Sequence, residues 1–333
     1  MSREHLEEHH SVLTPSCQAP KRLIDYSQKD KPWDQHRSQS QDVESIYASD
    51  DRFWRYAERV SDCSTILEYA RTVDEDTGEM GLRLSNAAFC RVRHCPVCQW
   101  RRSLMWQARF YQAVPELAEH FPRHRWVFLT LTVRNCRIDD LGETLVEMNK
   151  AWNKLIKRKA LKTVDGWIRT TEVTRGKDGS AHPHFHVLMM VKPSYFKGSN
   201  YLKKMDWVDL WQSSLQVDYK PNLDVRTVKA KSNDVSIEQL LASAVKETLK
   251  YSVKPTDMTA DPEWFLELTR QLHKKRFIAS GGELKNILKP EDEVTDEDLI
   301  HPEGDDDEDD NDLGSMLFEY SKKARHYLEK RDH

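Results

Sequence analysis

Ala181-His182-Pro183-His184-Phe185-His186-Val187-Leu188-Met189-Met190-Val191 is the stretch whose reading decides the fold. In a strand, successive side chains point to opposite faces, so His184 and His186 share one face and Phe185 turns to the other. Two imidazoles one pleat apart lie about 7 Å from each other along the strand and can grip one metal ion. His182 lies on the same face one pleat earlier. The plain alternative is a strand that carries surface histidines.

Upstream, residues 165–175 read as a strand that turns at Gly176-Lys177-Asp178-Gly179 into the histidine strand, a strong hairpin signal. Glu172 on that partner strand would complete a ligand set with His184 and His186. A mixed His/carboxylate site leaves positions open for phosphate oxygens and suits Mn²⁺ or Mg²⁺. Glu172 can also be an ordinary strand residue, and His182 could stand in as the ligand. Further upstream, residues 126–133 form a buried strand, and residues 139–160 an amphipathic helix with Leu145, Met148, Trp152, Leu155 and Ile156 inward. A crossover helix of this kind fits an α+β sheet. Downstream come a helix over 201–216, a strand over 222–228 and a long helix over 236–253, opened by Ser236 as N-cap. Glu247 and Tyr251 are i and i+4 on that helix and share a face. Lys254 falls near the same face, and Pro255 ends the helix. A helix over 261–280 is expected to stop at Gly281-Gly282.

Ahead of this region, residues 51–60 look helical and residues 66–73 and 81–84 form a hairpin. Cys90, Cys95 and Cys98 then follow. Two residues between Cys95 and Cys98 let both thiolates reach one tetrahedral ion, as in a zinc knuckle. Cys90 is a third ligand, and Cys63 or His94 the fourth. Arg91, Arg93, Arg101 and Arg102 crowd these cysteines, with Trp100 and Trp106 nearby. Guanidinium forks suit phosphate and indole rings stack on unpaired bases, so the four arginines are candidates for DNA contact.

The chain has 333 residues, 32% of them charged, and its mean hydropathy is −0.77. No apolar run approaches the roughly 18 residues of a membrane span, and the polar start (Met1-Ser2-Arg3-Glu4-His5) lacks the apolar core of a secretory signal. A cytoplasmic protein is expected, with its six cysteines used for metal rather than disulfides. The formal net charge is −4, but residues 291–312 hold fourteen Asp or Glu and no Lys or Arg, which leaves +10 on the rest. A basic body with an acidic tail fits a nucleic-acid binder. No Walker-type loop is present, so no intrinsic ATPase is expected.

Taken together, the strand ending in Thr130-Leu131-Thr132, the histidine strand and the Glu247/Tyr251 pair, in this order, resemble the HUH endonucleases. More narrowly, residues 50–285 resemble the replication initiator (Rep) proteins of rolling-circle plasmids. The resemblance implies an HUH-type central antiparallel sheet flanked by helices, with an N-terminal zinc-binding subdomain. It implies Tyr251 as nucleophile, Glu247 as the base that activates water for the closing cleavage, Lys254 as a phosphate contact or as the charge that lowers the tyrosine pKa, and an acidic residue, best matched by Glu172, beside His184 and His186. It favours Cys63 as the fourth zinc ligand. It also implies plasmid origin DNA, a host helicase and a host polymerase as partners. The expected organisation is a disordered arm over 1–50, a zinc and DNA-contacting region over 51–115, a catalytic domain over 116–285 and an acidic, mostly disordered tail over 286–333 with a short helix over 313–330. An HUH transposase or relaxase, or a zinc-containing DNA-binding regulator without catalysis, are the competing readings.

Overall fold

The computed structural model describes residues 19–74, 77–229, 236–250, 252–288, 294–302 and 314–330. Its strands are β1 (Ile66–Val73), β2 (Met80–Ala87), β3 (Arg125–Thr132), β4 (Val164–Arg175), β5 (Ala181–Val191), β6 (Leu223–Thr227), β7 (Ile278–Gly282), β8 (Ser315–Ser321) and β9 (His326–Glu329). Its helices are α1 (Leu23–Tyr26), α2 (Lys31–Ala48), α3 (Trp54–Asp62), α4 (Pro96–Gln112), α5 (Val114–His120), α6 (Leu141–Leu155), α7 (Lys204–Leu215), α8 (Ile237–Thr248), α9 (Pro255–Thr259), α10 (Pro262–Gln271), α11 (Glu283–Leu288) and α12 (Glu297–Ile300).

The histidine strand β5 is the middle of a five-stranded antiparallel sheet in the order β6-β3-β5-β4-β7. The β4–β5 hairpin closes because Gly179 takes φ +80°, a conformation that glycine adopts freely. The Asp178 carboxylate then accepts from the Ser180 amide at 3.0 Å and its hydroxyl at 2.6 Å. Both faces of the sheet are covered, so β5 reads as an unbroken apolar run after His186. One face (Phe185, Val187, Met189) packs with Leu145, Met148 and Trp152 of α6 and Trp207 and Trp211 of α7. The other (Phe128, Ile168, Leu188, Met190) packs with Phe110 of α4 and Leu241 and Val245 of α8. His184 and His186 have the parity of Leu188, so they lie on the α4/α8 side.

A second antiparallel sheet, β2-β1-β8-β9, builds the N-terminal half. It unites residues about 250 apart in sequence: Leu67 pairs with Phe318. Tyr69 meets Phe318 edge-on at 5.7 Å, and Trp33 of α2 meets Tyr327 edge-on at 6.4 Å.

Three sequence expectations are corrected here. The disordered arm over 1–50 does not hold for residues 19–50: α2 buries Trp33, Arg37, Ser40, Val43 and Tyr47. Arg37 is buried because its guanidinium donates to the Ser61 carbonyl at 2.6 Å and lies 4.8 Å over the Tyr320 ring. The tail is likewise not wholly disordered, and its last described stretch is the β8–β9 hairpin rather than a helix. Met316, Phe318 and Tyr320 alternate inward, which is strand periodicity. Finally, the helix expected over 261–280 stops at Gln271, and Gly281-Gly282 belongs to β7. A side chain at Gly281 would meet the Trp167 ring at 2.5 Å, and Gly282 takes φ +59° against the Asp165 carbonyl. These glycines permit close strand pairing rather than ending a helix.

Candidate active site

On the α4/α8 face of β5, the His184 and His186 rings lie 6.3 Å apart. Register sets their company: Thr132 and Glu172 stand beside His184, and Thr130 and Thr170 beside His186. Glu172 Oε2 contacts His186 Nε2 at 2.7 Å, and Thr130 Oγ1 lies 3.3 Å from His186 Nδ1. A carboxylate accepts only, so His186 Nε2 carries a proton toward it. The Lys250 ammonium lies 3.0 Å from the same Glu172 oxygen. Burial pushes the Glu172 carboxyl up, but the His186 hydrogen bond and the Lys250 charge outweigh it and hold the group down at about 2. Burial pushes His184 down to about 4, with Glu172 opposing, so its ring is neutral at pH 7 and has a lone pair for a ligand. His182 turns instead toward the hairpin, with Nε2 3.2 Å from Ser180 Oγ.

Two imidazoles and a carboxylate on one face have the donor chemistry of a site for a small divalent ion. Among the described residues, however, only the four cysteines gather three or more ligating side chains within 4.8 Å of one another. Glu172 is drawn instead into its contacts with His186 and Lys250.

Tyr251 lies outside the described residues, but both of its flanks are pinned. Lys250 meets Glu172, the Ser252 carbonyl accepts from the Val173 amide at 2.9 Å, and Ser252 Oγ donates to Gln99 Oε1 at 2.9 Å. Ser236 caps α8 through the Gln239 amide at 3.3 Å, as expected. The helix ends at Thr248, five residues short of the expected 253. Tertiary donors take its last carbonyls: the Thr170 hydroxyl bonds to the Thr248 carbonyl, and the Ser103 hydroxyl to the Leu249 carbonyl at 2.6 Å. Glu247 is therefore in the last turn of α8, and the face it was expected to share with Tyr251 lies outside the described residues. Glu247 pairs with the Arg226 guanidinium, which lies 4.5 Å over the Phe128 ring. Lys254 is exposed and its carbonyl starts α9.

A cavity of about 410 Å³ opens beside His182 and His184, lined also by Arg134, Asn135, Tyr219 and Lys220. The Arg134 guanidinium lies 4.3 Å over the Tyr219 ring. Sequence reasoning missed Arg134, Lys220, Arg226 and Lys250 as site residues. They come from separate loops and strands, and no local spacing joins them.

The cysteine centre lies apart from this face. Cys63 Sγ is 3.7 Å from Cys98 Sγ and 3.6 Å from Cys95 Sγ, and Cys90 Sγ is 3.6 Å from Cys98 Sγ. Four sulfurs at ~2.3 Å around a tetrahedral zinc ion would be about 3.8 Å apart, so this cluster could bind zinc. Cys63 ends α3, Cys90 follows β2, and Cys95 and Cys98 open α4, so one ion would clip three elements together. His94 is outside the cluster. It is buried, packs edge-on against Phe265 at 5.8 Å, and neither ring nitrogen has a hydrogen-bond partner.

The four arginines divide. Arg101 is buried, and its fork donates to the Leu299 and Ile300 carbonyls at 2.6 and 2.8 Å. The expectation that it contacts DNA is corrected, because its guanidinium satisfies the end of α12. Arg91 pairs with Asp296 at 2.9 Å, Arg93 donates to the Lys275 carbonyl at 2.6 Å, and Arg102 to the Arg91 carbonyl at 3.0 Å. Arg93 and Arg102 line a small cavity together with Lys250, Trp106 and Thr171.

A family model described as Replication protein matches residues 81–328. The chain is 41% identical over 268 residues to Protein rep of Lactiplantibacillus plantarum, an overlap that covers 74% of this chain and 82% of that protein. It is 37% identical over 258 residues to Protein rep of Streptococcus pneumoniae serotype 2, covering 75% and 77%. No solved structure matches it. No helix among the described residues is long and apolar enough to cross a membrane.

Proposed function

This chain belongs to the replication protein family, and from that premise we propose that it initiates plasmid replication by nicking and rejoining origin DNA through Tyr251. The observation that carries the reading is the 3.0 Å contact of Lys250 with Glu172. It ties the residue before Tyr251 to the strand pair that presents His184 and His186.

Tyr251 Oη attacks the scissile phosphorus in line. The phenol gives up its proton as the Tyr–O–P bond forms, the bond to the 3′ oxygen breaks, and the departing oxygen takes up a proton to become a 3′-OH primer. Free tyrosine titrates near pH 10, so the phenolate needs help at neutral pH. The ammonium groups of Lys250 and Lys254 supply positive charge on either side of position 251. His184, neutral at pH 7, His186 and Glu172 would hold a divalent ion, Mn²⁺ or Mg²⁺, whose chemistry is to polarise the phosphate. The link on Tyr251 stores the energy of the broken bond, so rejoining needs no ATP. For the closing cleavage, Glu247 takes a proton from water as general base. Arg226 pairs with that carboxylate and fixes its direction. The cavity wall beside His184, which carries Arg134 and Lys220 and no carboxylate, suits the phosphates of a single strand. Zinc held by Cys63, Cys90, Cys95 and Cys98 is structural. Origin DNA, a host helicase and a host polymerase that extends the 3′-OH are the partners, in the cytoplasm.

The test uses the full chain, Mn²⁺ and single strands tiled across the plasmid that encodes it. An adduct mapped by mass spectrometry to Tyr251, lost with chelator and in His184→Ala, is expected. In Tyr251→Phe, origin binding is retained without an adduct. Specific binding with no adduct on any strand would replace nicking by a non-catalytic DNA-binding role.

A further inference from the structure

The His94 imidazole lines a cavity of about 300 Å³ between the cysteine module and the end of α10. That volume is at the small end of ligand pockets. Arg59, Arg91, Arg93, His273 and Lys274 also line it, and no carboxylate does. One wall is aromatic: Tyr56 is half-buried and its ring lies 5.5 Å from that of Tyr47. The Tyr47 hydroxyl is already bonded to Thr269 at 3.0 Å, which fixes the wall. His94 is 1% exposed, and neither of its ring nitrogens has a partner. Such a group is costly to bury unless something in the cavity completes it. Both ring nitrogens are therefore left for a ligand to bond.

The cavity adjoins the proposed nicking site through one shared wall residue. Arg93 lines both this cavity and the smaller one that contains Lys250, Arg102 and Trp106. It thus stands between the residue before Tyr251 and the His94 cavity.

We propose that the His94 cavity binds one unpaired nucleotide of the DNA strand flanking the nick, with the base against Tyr56 and the backbone phosphates on Arg59, Arg93 and Lys274. This rests on the nicking reading and deepens it. The strand leaves the active face past Lys250, crosses Arg102 and Arg93, and places a base in the cavity. A cationic rim tracks phosphates whatever their sequence, whereas the two unpartnered imidazole nitrogens can bond a base edge. The cavity is therefore a specificity subsite.

The test is photocrosslinking of the full chain to single-stranded origin oligonucleotides that carry 4-thiothymidine at successive positions around the nick. One position is expected to crosslink to Tyr56, mapped by mass spectrometry. Arg59→Ala/Lys274→Ala, two exposed changes, is expected to weaken strand binding about tenfold. Tyr251 adduct formation on the same strands serves as the second readout. A wild-type adduct with no Tyr56 crosslink at any position, or unchanged affinity in the double variant, overturns the subsite and leaves nicking intact. A Tyr56 crosslink without any adduct upholds the subsite and defeats nicking.

Discussion

Glu247 is separable from Tyr251 because Arg226 holds it from a different strand. If it serves only the closing cleavage, Glu247→Gln should still form the Tyr251 adduct at near the normal rate. Release should slow by about 100-fold, the lower range of what a general base contributes. A time course of adduct accumulation and decay checks this, and an unchanged decay rate would remove Glu247 from the hydrolytic step. A second residue-scale effect concerns pH. His36 is buried and stacked on Trp100 at 4.8 Å, and burial pushes it down to about 4, with Gln39 opposing. Between the ordinary imidazole value of ~6.5 and about 4, the unfolded chain binds a proton that the folded chain refuses. Stability is therefore full above pH 6.5 and falls on acidification toward pH 4, by an amount on the order of 2–3 kcal/mol from this group. Urea unfolding of the wild type and His36→Gln across that range should show a shallower fall in the variant.

Among the elements, the short α8 matters most. Its Ser236 cap was legible in sequence. Its end was not, because Thr170 and Ser103, which take its last carbonyls, are far away in the chain. The cysteine centre shows the opposite case. Spacing alone announced Cys90, Cys95 and Cys98, whereas residues alone left Cys63 and His94 level. In the fold Cys63 joins the cluster and His94 faces the basic cavity. If zinc clips α3, β2 and α4 together, removing it should cost several kcal/mol, since structural zinc binding is worth about 10 kcal/mol or more in small modules. Cys95→Ser or strong chelation should lower the melting temperature and the zinc content together, the latter read by atomic emission. Unchanged melting with zinc lost would make the cluster dispensable for folding.

At the scale of the whole molecule, the two ends of the described chain meet. The β8–β9 hairpin completes the N-terminal sheet, and α12 sits on α4, with Asp298 paired to Arg109 at 2.9 Å. The C-terminal region is thus a strap across the N-terminal half as well as an acidic stretch. Phe318 is fully buried beside Tyr69 and Tyr26, so Phe318→Ala should destabilise by about 3–5 kcal/mol. Denaturant unfolding measures this, and a loss under 1 kcal/mol would mean that the hairpin is only loosely attached. Deleting residues 291–333 should for the same reason damage the fold before it reports on DNA affinity. The α2 helix was missed on similar grounds. Its inward stripe includes Arg37 and Ser40, polar residues whose partners Ser61 and Cys95 lie elsewhere, so hydropathy did not reveal it.

The sequence by itself determined the α+β class, the histidine strand with its hairpin partner, and the clustering of three cysteines. Each of these depends on periodicity or spacing within a few residues, where backbone geometry is fixed locally. Tertiary structure alone decided that Lys250 meets Glu172, that Arg226 holds Glu247, that Arg101 is spent on α12, and that residues 315–329 pair with residues 66–70 through β8. Those contacts join residues far apart in the chain, and the burial and charge pairing that select them exist only once the sheets have formed.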